Sequence, residues 1–377
     1  MRYRFRSMTA LVAVAAIGLA ACGDDDTSDD TSDTTADNTA EDTSDEPAED
    51  ATGTTDAADE PADDADGNVS IALVLNGELG DEAFFDSANR GAEQAAEELG
   101  VDVRVIEAGL DAAGWEPALR SAVASGEYDL VITGTAPMAD VLGPIAEEFP
   151  DQDFVFYDAS LPADNIHSIT YAQNEASYLG GVVAGGLTSS DVEGTNADLV
   201  IGFIGGLDLP VINDFRAGYA QGAATVVPDV EVLTSYAAGF GDPAQGRELA
   251  EAQIDQGADV IFQVAGGTGF GVFEASTGRE TYAIGVDTNQ NALAPGTIAT
   301  SVQKNVDVSL YQAIERFAAG ELPFGVTESL GLAEGGVSLA MDEYYEQIVP
   351  ADVRALVDEA QAAIIAGEIE VDTTLES

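Results

Sequence analysis

The sequence predicts an α/β protein built as two doubly wound, Rossmann-like lobes with a ligand cleft between them, and three observations carry that prediction. Apolar runs of strand length alternate with periodic helical segments in two successive series, 69–158 and 199–287, which match element by element. Each series closes on a short strand ending in an acid, Phe-Tyr-Asp158 in the first and Gly-Val-Asp287 in the second. The stretches GEYDLVITGTAP at 126–137 and GADVIFQVAGGTGFG at 257–271 share one grammar: glycine, acid, buried strand, then a small-residue loop where a helix begins. In doubly wound sheets ligands lie at the carboxyl ends of the strands, so a duplicated plan places the site between the copies.

The chain opens with MRYRFRS, an apolar stretch over 8–21 and then Cys22. A basic head, an apolar segment too short to span a bilayer and a zone of small residues read as a signal peptide over 1–21. Leu19-Ala20-Ala21-Cys22 is similar to a bacterial lipobox, which makes Cys22 the lipidated first residue after cleavage and a membrane attachment point. Cys22 is the only cysteine, so no intrachain disulfide is possible. Residues 23–67 are Asp, Glu, Thr, Ser and Ala with almost nothing to bury, and they read as a disordered, self-repelling spacer. They lack the glycine-punctuated ligand order of a calcium loop.

The first series begins with a continuous apolar strand at 69–75. Helix 84–99 follows, with Phe84, Ala88, Ala92, Ala95, Ala96 and Leu99 near one face. Strand 101–106, helix 116–124, strand 130–133, helix 138–149 and strand 154–157 complete it. After a helix at 175–187 and a polar loop at 188–197, the second series runs strand 199–204, helix 212–226, strand 231–235, helix 243–256, strand 260–264, helix 271–277 and strand 282–285. The β-branched segments 166–171 and 297–302 are candidates for strands that cross between lobes, forming a multi-strand hinge. Helix 306–317 returns to the first lobe, and a last helix at 350–366 starts at Pro350, a residue suited to a first helical position. The expected division is 68–170 with about 303–321 for the first lobe and 171–302 with about 322–341 for the second; 342–377 is left without a lobe.

Seventy Asp and Glu against 12 Lys and Arg give a formal net charge of -58 in 377 residues. Such a charge repels nucleic acid phosphates and anionic bilayers, and it suits a halophilic-type surface kept hydrated at high salt. Catalytic signatures are missing. The chain has no G-x-S-x-G elbow and no P-loop, and its single histidine, His167, reads as a hinge or surface residue without an evident partner. One histidine and scattered acids make no metal site, and no cofactor is expected. Gly266, Gly267, Gly269 and Gly271 follow a late strand rather than the first, out of place for a dinucleotide loop. Gly266 and Gly267 instead let the backbone approach a ligand closely.

Binding chemistry is better represented. Phe84 and Phe85 open the first helix, where a ring can lie over the cleft and stack on a flat ligand. Asn76 ends the first strand, and Asp158 and Asp287 end the last strands of their series; an amide and carboxylates suit a neutral ligand rich in donors. Lys304 is the only lysine, placed just after the second crossing segment, where its ammonium can pair with Asp287 or Asp158.

At these residues the chain resembles the basic membrane protein family of bacterial substrate-binding lipoproteins, which includes purine nucleoside receptors of ABC importers. The strings that carry the resemblance are LGDEAFFDSANRG at 79–91, ASYLGGVVAG at 176–185, IGFIGGLDLPVINDFRAGYAQGA at 201–223, GADVIFQVAGGTGFGVFEA at 257–275, YAIGVDTNQNALAPGTIATSVQKNVD at 282–307 and LGLAEGGVSL at 330–339. The resemblance implies a type I periplasmic-binding-protein fold, a nucleoside held between the lobes by an aromatic sandwich, and acids plus a lysine on its polar edges. Phe84 falls on the phenylalanine of the family's N-D-K-S-F-N string, with Phe85 as the alternative; Asp81 falls on its aspartate, while Gly80, Glu82 and Ala83 depart from it. Asp287 and Gln290 match G-V-D-x-x-Q, Lys304 the family's lysine, and Asp158 its strand-end acid; Asn76 stands where the family has an aspartate. The function so implied is reversible nucleoside capture, most simply of a purine nucleoside, by a monomer that delivers its ligand to an ABC permease at the outer face of the cytoplasmic membrane. Import of a sugar or other small polar solute, and ligand sensing through a membrane receptor, are the alternatives.

Overall fold

In the computed structural model, which describes residues 68–375, twelve strands form two six-stranded sheets. The signal segment, Cys22 and the acidic spacer lie outside the described residues. The first lobe contains β1 (Ser70–Leu75), α1 (Phe84–Leu99), β2 (Asp102–Glu107), α2 (Trp115–Ser125), β3 (Leu130–Gly134), α3 (Ala139–Glu148), β4 (Asp153–Tyr157) and β5 (Ile166–Tyr171). The second contains α4 (Gln173–Thr188), β6 (Val200–Gly205), α5 (Pro210–Val226), β7 (Glu231–Tyr236), α6 (Pro243–Ile254), β8 (Ala258–Val264), α7 (Gly269–Arg279), β9 (Tyr282–Asp287) and β10 (Ile298–Lys304). The chain then runs through α8 (Val306–Ala318), β11 (Val326–Leu330), β12 (Val337–Leu339), α9 (Glu343–Ile348) and α10 (Ala351–Ile365). Both lobes belong to one compact unit.

The sheet orders are β11-β5-β4-β3-β1-β2 and β12-β10-β9-β8-β6-β7, the same arrangement twice. Only the outermost strand differs: β11 pairs in parallel with β5, whereas β12 runs antiparallel to β10. Central strands are continuous apolar runs because helices cover both faces; Ile71 to Leu75 of β1 and Val260 to Phe262 of β8 are fully buried. Two expectations are corrected here. Segments 166–171 and 297–302 do not cross between lobes: β5 lies wholly in the first sheet and β10 wholly in the second, and the chain crosses just beyond them, at Ala172, Asn305 and 331–336. Strand pairing needs one continuous neighbour, so the hinge falls where pairing ends. The stretch 322–341 does not belong to the second lobe as a whole, since β11 completes the first sheet and only β12 joins the second.

The tightest packing between helices is α4 against α5, and its cause is compositional. A Cβ on Gly181 would stand 2.1 Å from the Tyr219 carbonyl oxygen; on Gly218, 2.0 Å from that of Asn174; on Gly222, 2.0 Å from that of Tyr178. Glycines four apart therefore let the two backbones touch. This contact fixes the first turns of α5 beside the first crossing. The last helix, α10, packs on α4, with Val353 against Gly186, so the segment left without a lobe sits on the second. His167 is fully buried in β5 rather than at a surface or hinge: its Nδ1 lies 2.8 Å from the Pro323 carbonyl oxygen and its Nε2 3.5 Å from Glu328 of the neighbouring β11.

Candidate ligand-binding site between the lobes

The two series end in one backbone device used twice. Asp158 follows β4 with φ 63° and Asp287 ends β9 with φ 64°. Aspartate adopts the left-handed conformation more readily than most non-glycine residues, and it ends both strands at the seam, where Asp158 meets Lys304 of the other sheet and Asp287 lines a cavity. Lys304, at the end of β10, meets only one of them: its Nζ lies 2.5 Å from Asp158 Oδ1, with the two side chains 2% and 8% exposed. This ion pair crosses the seam, because β10 belongs to the second sheet and β4 to the first. The ammonium is surrounded by rings: Phe84, Tyr171 and Phe215 have centroids 5.6, 5.5 and 4.9 Å from Nζ.

Asp287 is 8% exposed, and among the described residues its carboxylate accepts no hydrogen bond. Burial pushes its carboxyl up to about 7, opposed by Lys304 and reinforced by Asp81 and Asp158. Asp158 is also raised, by burial first; Lys304 pulls it back without cancelling the effect, and Asp214 adds to it. The site is thus a buried group of carboxylates around one cation, with one carboxylate free to accept. Beside it, a cavity of about 300 Å³ opens at the seam, lined by Glu82, Arg90, Asp287, Thr288, Asn305 and Asp307 among others.

The other expected residues take several roles. Phe84 stacks on Tyr157 at 5.5 Å and 27° and faces the Lys304 group. Phe85 lies edge-on to Phe84 and over Gly77, where a Cβ would stand 2.1 Å from its ring, so Gly77 is small to admit it. Asp81 takes the unpaired N–H groups at the start of α1, accepting from Ala83 at 3.0 Å, Phe85 at 3.0 Å and Asp86 at 3.1 Å. Asn76 is buried and donates to Thr135 Oγ1 at 2.8 Å, within its own lobe. Gln290 is buried behind Asp287: its Oε1 accepts from Gln263 and from the Val286 N–H, both at 2.9 Å, and its Nε2 donates across the seam to the Glu82 carbonyl at 3.1 Å. Thr288 Oγ1 donates to the same carbonyl at 2.7 Å, so two second-lobe groups hold the loop before α1. Gly266 and Gly267 form the turn before α7, where a Cβ on either would stand 3.3–3.4 Å from the Phe240 carbonyl oxygen.

Sequence reasoning passed over Tyr157, Tyr171, Asp214, Phe215 and Thr288. One signal was available: α5 is the second-lobe copy of α1, so Asp214-Phe215 stands on the same helix of the plan as Phe84-Phe85. Among the described residues no group of three or more His, Cys, Asp or Glu is arranged to hold a metal, and no helix is long and apolar enough to cross a membrane.

Two repeated α/β lobes, linked by three crossings and closing over a buried polar site, define a periplasmic-type solute-binding protein. A solved solute-binding protein of an ABC transporter system from Aeropyrum pernix K1 superposes with a TM-score of 0.73 at 30% identity, over 81% of this chain and 93% of that one. The chain belongs to the Bmp family, described as ABC transporter substrate-binding protein PnrA-like, which matches residues 68–374. Relatives include an uncharacterized lipoprotein of Pyrococcus abyssi, 34% identical over 71% of this chain and 68% of its own length. Another is the ABC transporter nucleoside-binding protein BmpA of Lactococcus lactis subsp. cremoris, 31% identical over 65% of this chain and 71% of its own length. The family is one of substrate-binding proteins, which pass a small molecule to a transporter.

Proposed function

We propose that this protein binds a nucleoside, most simply a purine nucleoside, between its lobes and delivers it unchanged to an ABC permease. The observation that carries this reading is the buried Asp287 carboxylate without a partner, set beside the Lys304–Asp158 pair and the Phe84 ring. A carboxylate acceptor, a buried cation and an aromatic face match a neutral ligand with hydroxyl or N–H donors and a flat ring. The Lactococcus relative, named as nucleoside-binding, supports the same class. Phe84 is the stacking ring; Asp158, Asp287 and Lys304 hold the polar edges; Gly266 and Gly267 give close backbone approach; Asn76, Asp81, Phe85 and Gln290 shape the walls.

The reading includes export and anchoring through lipidated Cys22, a monomeric state, no enzymatic activity and a surface adapted to high salt. Titration calorimetry against adenosine, guanosine, inosine and the pyrimidine nucleosides tests the ligand class: one of them binds, and no heat at millimolar concentration overturns the nucleoside assignment. Labelled palmitate incorporated by the wild type and lost in Cys22→Ser tests the anchor. A melting curve unchanged between low and molar salt overturns the salt adaptation.

A further inference from the structure

The loop after β9 brings Asp287, Thr288 and Asn289 to the wall of the seam cavity, and its Thr288 and Gln290 hold the Glu82 carbonyl of the first lobe. A run of hydrogen bonds fixes this loop, and it ends on a carboxylate outside the cavity wall. Asp342 stands between β12 and α9 and is half-buried. Its Oδ2 accepts from Asn289 Nδ2 at 2.8 Å. Its Oδ1 accepts from Asn291 Nδ2 at 2.9 Å and, as the cap of α9, from the N–H groups of Tyr344 and Tyr345 at 3.0 and 3.1 Å. Asn289 Oδ1 in turn accepts from the Asn291 N–H at 3.0 Å. Asn291 is fully buried, and its Oδ1 accepts from Ser301 Oγ at 2.8 Å; the same hydroxyl accepts from the Gln290 N–H at 3.0 Å. Burial pushes the Asp342 carboxyl up, but the donors Asn289, Asn291, Tyr345 and Tyr344 outweigh it and hold the group below the usual carboxylate range. The chain reaches Asp342 directly from the third crossing. There β12 pairs with β10, the Ala340 N–H donates to the Ser301 carbonyl at 2.9 Å, and Thr300 Oγ1 donates to the Ala340 carbonyl at 2.8 Å.

We propose that Asp342 is a positioning residue for the binding site: by holding Asn289 and Asn291 it sets the loop that carries Asp287 and the two donors to Glu82, and so couples the segment after the third crossing to lobe closure. It acts through Asn289, which lines the cavity. Hydrogen bonds from amides to an ionised carboxylate are stronger than those between neutral groups, so one acid can order a loop that lies outside any strand. A loop ordered beforehand spares the ligand that entropic cost when it binds. The inference rests on the reading of this loop as part of the binding site, and half of its test needs no ligand.

Asp342→Asn is a narrow probe. Asparagine caps a helix as well as aspartate does, so the amide oxygen keeps Asn291, Tyr344 and Tyr345, while the new NH2 takes the place of Oδ2 and meets the Asn289 amide donor to donor. In the full chain without ligand, hydrogen exchange read by mass spectrometry is expected to run about two- to tenfold faster in 287–293 and, across the seam, in 79–86. Unchanged exchange in 79–86 refutes the coupling to closure. Faster exchange confined to 343–348 shows a helix cap and nothing more, and it too overturns the proposal. With adenosine, guanosine or inosine as probe, calorimetry is expected to show about three- to thirtyfold weaker binding; wild-type affinity removes Asp342 from any role in positioning the site. The double variant Asp342→Asn, Asn289→Asp exchanges donor and acceptor and keeps the total charge. It is expected to return affinity and exchange to within about threefold of wild type. A loss that persists in a double variant with the wild-type melting temperature contradicts the assignment to this hydrogen bond. Failure of all three nucleosides to bind the wild type overturns the nucleoside reading, and the exchange measurement in the single and double variants then decides the role of Asp342 alone.

Discussion

Asp158 and Asp287 occupy the same place in the two lobes, at the end of corresponding strands and with φ of 63° and 64°, yet their chemistry differs. Asp158 is tied to Lys304 at 2.5 Å, whereas Asp287 faces the seam cavity without a hydrogen-bonding partner among the described residues. Duplication copied the backbone device, and one lysine broke the symmetry. The paired acid ties one lobe to the other, while the unpaired one lines the cavity at the seam. A largely buried carboxylate without a hydrogen-bonding partner opposes folding while it is ionised.

The largest test of this contrast is Lys304→Met, which leaves Asp158, Asp287 and Asp81 facing one another with no cation. We expect a loss of about 3–5 kcal/mol in urea unfolding at pH 8, largely recovered at pH 4–5 where the acids take up protons, together with loss of ligand binding. Next, Asp287→Ala is expected to cost about 2–5 kcal/mol of nucleoside affinity by calorimetry; a change below about 0.5 kcal/mol removes Asp287 from contact with the ligand.

The sister acids are expected to differ in sign when stability is measured without ligand at pH 8. Asp158→Asn strands the Lys304 ammonium and lowers stability by about 1–3 kcal/mol, whereas Asp287→Asn raises it. The pH dependence follows from the same contrast. With its folded pKa raised from 3.8 to about 7, Asp287 binds more protons in the native state than in the unfolded chain between those values. Its contribution therefore falls as pH rises through that window and is constant above it. The stability difference between Asp287→Asn and wild type should vanish near pH 4 and reach its full size by pH 8; equal differences at both ends contradict the assignment. The smallest effect is expected from Thr288→Val, which removes one of two second-lobe donors to the Glu82 carbonyl. About 0.5–1.5 kcal/mol of closure should be lost, read by X-ray scattering as a larger radius of gyration without ligand.

Much of this was legible in the sequence. The period of apolar runs and helical faces placed α1 at Phe84–Leu99, and the repeated strand-acid endings singled out Asp158 and Asp287. The glycines of ASYLGGVVAG and IGFIGGLDLPVINDFRAGYAQGA were visible as strings, but that they let α4 and α5 touch was not, because close approach is a relation between two helices. His167 read as a surface or hinge residue for the same reason: its partners, Pro323 and Glu328, lie more than 150 residues away.

By itself the sequence determined the class of fold, the duplicated plan, the acidic balance and which residues carry charge at strand ends, since these depend on local periodicity and on side-chain chemistry. Only the tertiary structure decided which acid Lys304 chooses, where the chain crosses between lobes, and that the tail after α10 is tied to α4 and α5 through Asn174 and Asp214. Ion pairing and burial depend on distances in space between groups such as Asp158 and Lys304, 146 residues apart in the chain, and no local pattern encodes such a distance.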